Sequence, residues 1–147
     1  NALELFQLTE YLSPCYLQNS NHYKSNSFCK VMELIAFAGE DKENWGQIVA
    51  LINHSKWDKT IIVQSKNAES FPAGDEVIKI DSDMPLTELK IWMMDKLKKS
   101  ISGDFEVALS IASGTGKEHM AIISALLSIP VGIRFVVFTR KGIEWIS

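Results

Sequence analysis

Cysteine is scarce in this chain: Cys15 and Cys29 are the only two among 147 residues. Two thiols cannot build the disulfide framework on which small secreted domains depend, so the sequence points to a cytoplasmic protein. His22 lies midway between them, but that spacing fits no zinc ribbon or finger and no fourth ligand is evident, so no metal is assigned. A surplus of positive charge is missing too. With 15 Lys and Arg against 18 Asp and Glu, a net charge of −3, the chain lacks the cations that displace counterions from a nucleic-acid backbone. Direct binding of double-stranded nucleic acid is therefore not expected. Nor is there a long apolar run. The most apolar stretch, from Ala121 to Phe138, is interrupted by Ser124, Ser128, Pro130 and Arg134, whereas a single bilayer span needs ~20 apolar residues, so no membrane helix is expected. The first residues, Asn1-Ala2-Leu3-Glu4, have neither the basic flank nor the apolar core of a signal peptide and are expected to be a processed start.

What is present is the composition of one globular domain, 46% hydrophobic and 22% charged. A chain of this size buries roughly two-thirds of the surface its unfolded form exposes, enough for a core without staples. Disorder and collagen-like repeats are excluded by composition. A (β/α)8 barrel needs about 200 residues or more, so an α/β protein of this length must use a small open sheet.

The first 27 residues differ from the rest. Leu3, Leu5, Phe6, Leu8 and Leu12 leave a loose helical stripe that ends at Ser13-Pro14, where proline disfavours helix in the residue before it. A polar run from Gln18 to Ser27 then offers almost nothing to bury. Residues 1–27 are expected to be a helical arm and polar loop, and residues 28–147 the main domain.

From Val31 onward, short apolar runs alternate with amphipathic segments, which is the pattern of a mostly parallel sheet layered with helices. Strands are expected over Glu33–Ala38, Thr60–Gln64, Glu76–Ile80, Glu106–Ala112, Arg134–Thr139 and Ile143–Ile146. A helix starting at Ser27 would fit the first of these runs as well. Trp45, Ile48, Val49 and Ile52 give a helix over Lys42–His54. Asp83 is placed to cap the next one, with Pro85 in its first turn and Leu86, Leu89, Met93 and Leu97 as its buried stripe. Lys96, Lys98 and Lys99 fall in its last turn, where positive charge complements the helix dipole. A third helix spans Glu118–Ile129, and Lys141-Gly142 forms the final tight turn. The order is βαβ-β-αβαββ, a three-layer Rossmann-like α/β fold. Trp45, Trp57, Trp92 and Trp145 are read as core anchors, and Trp92-Met93-Met94 as a candidate apolar face for dimerisation.

One segment carries chemistry. The strand ending at Ala112 runs into Ser113-Gly114-Thr115-Gly116-Lys117 and then an apolar helix, the geometry in which a helix N-terminus offers unpaired N–H groups to an anion. The glycines permit close backbone approach, the hydroxyls donate, and Lys117 adds charge at a helix end where it opposes the dipole unless a ligand compensates. A P-loop is excluded, because Ile111 and Glu118 stand where its first glycine and final Ser or Thr are required. The dinucleotide fingerprint lacks its third glycine.

The strand V-A-L-S-I-A with S-G-T-G-K, preceded by the unit E-L-I-A-F-A-G-E-D, a helix and T-I-I-V-Q-S, resembles the CARF (CRISPR-associated Rossmann fold) domain family over roughly residues 31–147. That resemblance implies a homodimer, in antiviral defence, that binds a cyclic oligoadenylate second messenger across its two-fold axis without a cofactor. Ser113, Gly114, Thr115, Gly116 and Lys117 would line the phosphate and ribose site, with Gly39, Glu40 and Asp41 facing it. Thr115-Gly116 departs from the usual Gly-Thr order, and Glu40 with Asp41 sets carboxylates beside a polyanion. Some members cleave the ring without metal through a ribose 2′-hydroxyl. There Lys117 would stabilise phosphoryl charge and His119 would move a proton, although a lone histidine in a first helical turn more often packs or faces solvent. With no helix-turn-helix or ribonuclease segment after the last strand, the resemblance implies a lone sensor, a fragment of a larger effector or a stand-alone ring nuclease.

Two other functions fit the residues. One is an enzyme of small phosphorylated metabolites in which Glu40 or Asp41 holds magnesium; the other is a non-catalytic interaction module in which S-G-T-G-K is only a turn.

Overall fold

The structure, a computed structural model, describes residues 32–102 and 105–147. The expected N-terminal arm, the polar loop and the Cys15, His22 and Cys29 set lie outside the described residues. The elements run β1 (Glu33–Ala38), a short 3-10 turn (Lys42–Asn44), α1 (Trp45–His54), β2 (Thr60–Ser65), β3 (Glu76–Ile80), α2 (Leu86–Ser100), β4 (Glu106–Ser110), α3 (Gly116–Leu127), β5 (Gly132–Thr139) and β6 (Gly142–Trp145). Six strands form one sheet in the order β3-β2-β1-β4-β5-β6. The first five strands are parallel, and β6 returns antiparallel on β5, pairing Val136 with Trp145 and Phe138 with Ile143.

The strands read as they do because of where they sit. β1 and β2 are buried along their whole length, as parallel strands covered on both faces must be, and their residues are apolar or β-branched except for Glu33, Gln64 and Ser65 at the strand ends. β3, at the sheet edge, buries only Ile78 and Ile80 in alternation. On one face, Ile35, Phe37, Val63, Val107 and Leu109 pack against Leu89, Met93 and Leu97 of α2 and Ala121, Ile122 and Ala125 of α3. On the other, Leu34 and Ala108 meet Leu51, while Ala36, Ala38 and Ile62 meet Trp45, Ile48 and Phe71. The result is the expected three-layer α/β Rossmann-like sheet.

Three expectations need correction. Asp83 does not cap α2. The helix begins after Pro85, whose carbonyl accepts the Leu89 N–H at 2.9 Å, and the Asp83 N–H instead donates to Asp81 Oδ1 at 3.1 Å. Proline at that position fixes the extended entry, so no side-chain cap is needed to turn the chain. Second, β4 ends at Ser110 rather than Ala112 and α3 begins at Gly116, so residues 111–115 form the connection. Third, Met93 takes no part in an outward Trp92-Met93-Met94 face: it is 1% exposed, whereas Trp92 and Met94, turned about 100° to either side of it, are only partly buried against the core.

Candidate functional site

Strand order reverses between β1 and β4: β1 continues outward to β2, and β4 continues the other way to β5. Loops leaving the carboxyl ends of such neighbouring strands part in opposite directions and frame a crevice, the usual ligand position in open α/β sheets. The two loops at that point are residues 39–41 and 111–115.

Asp41 joins them. Its Oδ1 accepts the Ser113 hydroxyl at 2.6 Å and the Gly114 N–H at 2.9 Å, and its Oδ2 accepts the Asn44 amide at 2.7 Å. Ser113, itself fully buried, takes the Gly39 N–H on the same oxygen at 2.9 Å. Burial pulls the Asp41 carboxyl up, but hydrogen bonds from Ser113, Asn44 and Gly114 outweigh it and hold the group below its ordinary value. The clasp is tight. A Cβ on Gly39 would lie 2.7 Å from the Gly114 Cα, and one on Gly114, whose φ is +107°, would lie 2.6 Å from a ring carbon of Phe37. Glycine is required at both places, by close approach at the first and by conformation at the second. Trp45 secures the far side of the first loop, its indole N–H donating to the Gly39 carbonyl at 2.9 Å.

The remaining site residues divide by what they hold. Thr115 caps α3: its hydroxyl accepts the Glu118 N–H at 3.3 Å, and its own N–H donates to Glu118 Oε1 at 2.9 Å, a reciprocal capping box. Thr115, Gly116 and Lys117 are exposed, and Gly116 and Lys117 supply the first-turn N–H groups that no intrahelical carbonyl can reach. The Lys117 ammonium reaches across to the Ser82 carbonyl at 2.7 Å. His119 turns back under the loop. Its Nε2–H donates to the Ser113 carbonyl at 2.7 Å, and its ring meets Phe37 edge-on, with centroids 6.3 Å apart. With Nε2 committed, any proton transfer by His119 would run through Nδ1. Glu40 is exposed beside the clasp.

The structure thus gathers Gly39, Asp41, Ser113 and Gly114 into one bonded unit, with Thr115, Gly116 and Lys117 on its exposed rim. Glu118 is the residue that sequence reasoning missed. It is only 4% exposed and accepts the Ser82 hydroxyl on Oε2 at 2.6 Å, so it binds a third loop to the site. The spacing Thr115-x-x-Glu118 was a readable capping-box signal. Beyond it, Lys66 and Asp81 form an ion pair at 2.8 Å.

Among the described residues, no group of three or more His, Cys, Asp and Glu side chains is arranged to hold a metal ion, and no helix is long and apolar enough to cross a membrane. Comparison with models of known protein families gives no match, and comparison with curated proteins gives none.

Proposed function

We propose that this domain binds a nucleotide-type polyanion at the β1–β4 crevice and, in the sharper form of the reading, acts as a CARF-like sensor that holds a cyclic oligoadenylate across a homodimer. The observation that carries it is the meeting of the 39–41 and 111–115 loops at the strand-order reversal, with the exposed Gly116 and Lys117 N–H groups and the Lys117 ammonium on one rim. A ring ligand with two-fold symmetry needs two such rims, which is why the reading carries a second copy of the chain with it.

The experiment is isothermal titration with cyclic tetraadenylate and cyclic hexaadenylate in EDTA, with Lys117→Ala alongside and light scattering for the mass. Binding at one ring per dimer, weakened in the variant by about 1.5–3 kcal/mol as for a charged hydrogen bond, supports the sensor. No heat with either ring removes it. Ring cleavage is read in the same samples by separating linear products; loss of product in His119→Ala would assign the proton-moving role to that residue.

A second reading has its own observation. Asp41, Lys117 and His119 each hold a protein partner at 2.6–2.9 Å, which also suits an interaction module whose S-G-T-G-K segment only turns the chain. That version predicts that Lys117→Ala alters no anion binding. The metabolite-enzyme reading is weakened by the same bonds, since both oxygens of Asp41 are already filled by protein donors; magnesium-dependent binding of a small phosphate ester would revive it.

A further inference from the structure

We infer that Glu118 is a positioning residue of this site, acting on Lys117 through Ser82. The inference rests on the reading of the 113–117 loop as an anion site. Lys117 and Glu118 are neighbours in sequence, yet both side chains end on Ser82, in the turn between β3 and α2. The Lys117 ammonium takes the Ser82 carbonyl at 2.7 Å, and Glu118 Oε2 takes its hydroxyl at 2.6 Å. Ser82 is therefore gripped by main chain and side chain at once.

A buried carboxylate is costly unless its oxygens are filled. Those of Glu118 are filled by neutral donors from two separate loops, Thr115 N–H on one side and Ser82 O–H on the other. This sets the distance between the anion loop and the β3–α2 turn. Lys117 is exposed and its side chain has four rotatable bonds; an ammonium carries three donors, and the Ser82 carbonyl uses one of them. Two stay available for a phosphate oxygen, on a side chain tethered at its end to Ser82. The chain of action runs from Glu118 to Ser82, from Ser82 to Lys117, and from Lys117 to the ligand.

The test is a double-mutant cycle read by titration with cyclic tetraadenylate and cyclic hexaadenylate on wild type, Ser82→Ala, Lys117→Ala and the double variant. Ser82→Ala keeps the carbonyl but releases it from Glu118. It is expected to weaken binding about three- to tenfold, in the range of coupled neighbours, and to add less than about twofold once Lys117 is gone. Ser82→Thr, which keeps the hydroxyl, restores affinity. Glu118→Gln, whose amide oxygen can accept the Thr115 N–H while its NH2 donates to the Ser82 hydroxyl oxygen, stays close to wild type, whereas Glu118→Ala follows Ser82→Ala. Wild-type affinity in Ser82→Ala, or losses that simply add in the double variant, overturns the inference. If wild type binds neither ring, the functional reading fails first. Hydrogen exchange of the ligand-free protein over residues 81–86 then decides the clamp: faster exchange in Ser82→Ala supports it, and unchanged exchange overturns it.

Discussion

Replacing Asp41 by alanine removes the acceptor shared by three donors, and the structure says what each of them loses. The Ser113 hydroxyl is fully buried and is left largely without water to turn to, whereas the half-buried Gly114 N–H and Asn44 amide recover in part. Hydrogen bonds to a charged acceptor contribute ~1.5–3 kcal/mol each. Asp41 itself is partly exposed, and water entering its place returns a share of that, so the net loss is about 1.5–3 kcal/mol. For a domain of this size, that lowers the melting temperature by on the order of 5–12 °C. The pH dependence supplies a sharper check. The folded carboxyl titrates below its ordinary value of 3.8, so its contribution is fully present above that value and is lost as pH falls through the lower folded value. Urea unfolding of wild type and Asp41→Asn should therefore show a stability gap at pH 7 that narrows on acidification below the ordinary carboxylate range. Equal midpoints at pH 7, or a gap that survives unchanged in acid, would refute the clasp as described.

The same geometry fixes other outcomes. Gly114→Ala combines a backbone angle that alanine resists with a contact on Phe37 and should destabilise by about 1–3 kcal/mol in urea unfolding; a neutral result would mean that the loop can relax away from β1. Gly39→Ala drives a methyl against the Gly114 main chain, so it should reduce stability and ligand affinity together, in contrast to Lys117→Ala, whose unfolding free energy should stay within about 0.5 kcal/mol of wild type. Thr115→Val deletes the capping hydroxyl of α3 and should cost about 1 kcal/mol in a thermal melt. Met93→Ala opens the α2 side of the core at about 2–5 kcal/mol, well beyond Trp92→Ala on the half-exposed side of the same helix.

Much of this was legible in the sequence, for identifiable reasons. Runs such as Thr60-Ile61-Ile62-Val63 are β-branched because both sheet faces are covered, and the spacing of Leu89, Met93 and Leu97 is that of one buried helical stripe. Glycine and hydroxyl residues after β1 and β4 marked the two loops that do meet. The direction of side chains was not legible. Nothing local says that Asp41 turns inward onto Ser113 and Gly114, bonds that span 72 and 73 residues, or that Lys117 reaches the Ser82 carbonyl. The same blindness misplaced Asp83, whose cap role depended on where the chain turned, and Pro85 had already decided that. Strand order is the other hidden quantity. β2 and β3 pair in parallel with no helix between them, joined by residues 66–75, and Asp75 closes that connection by accepting the Thr60 N–H at 2.7 Å.

The strand order also divides the chain into two sequence-contiguous halves. β1, β2 and β3 are built from residues 33–80, and β4, β5 and β6 from residues 106–145. The β1–β4 ladder, the Asp41 clasp and the packing of α1 on β5 and β6 are among the contacts that join these halves. Contacts within each half close short stretches of chain, whereas those at the seam wait for a loop of some seventy residues to close and gain nothing until it does. The junction of β1 and β4 is therefore a seam between the two halves. A ligand held there would stabilise the contacts between the halves, and two separately expressed halves, cut within the α2–β4 connection, would report its occupancy by their reassociation.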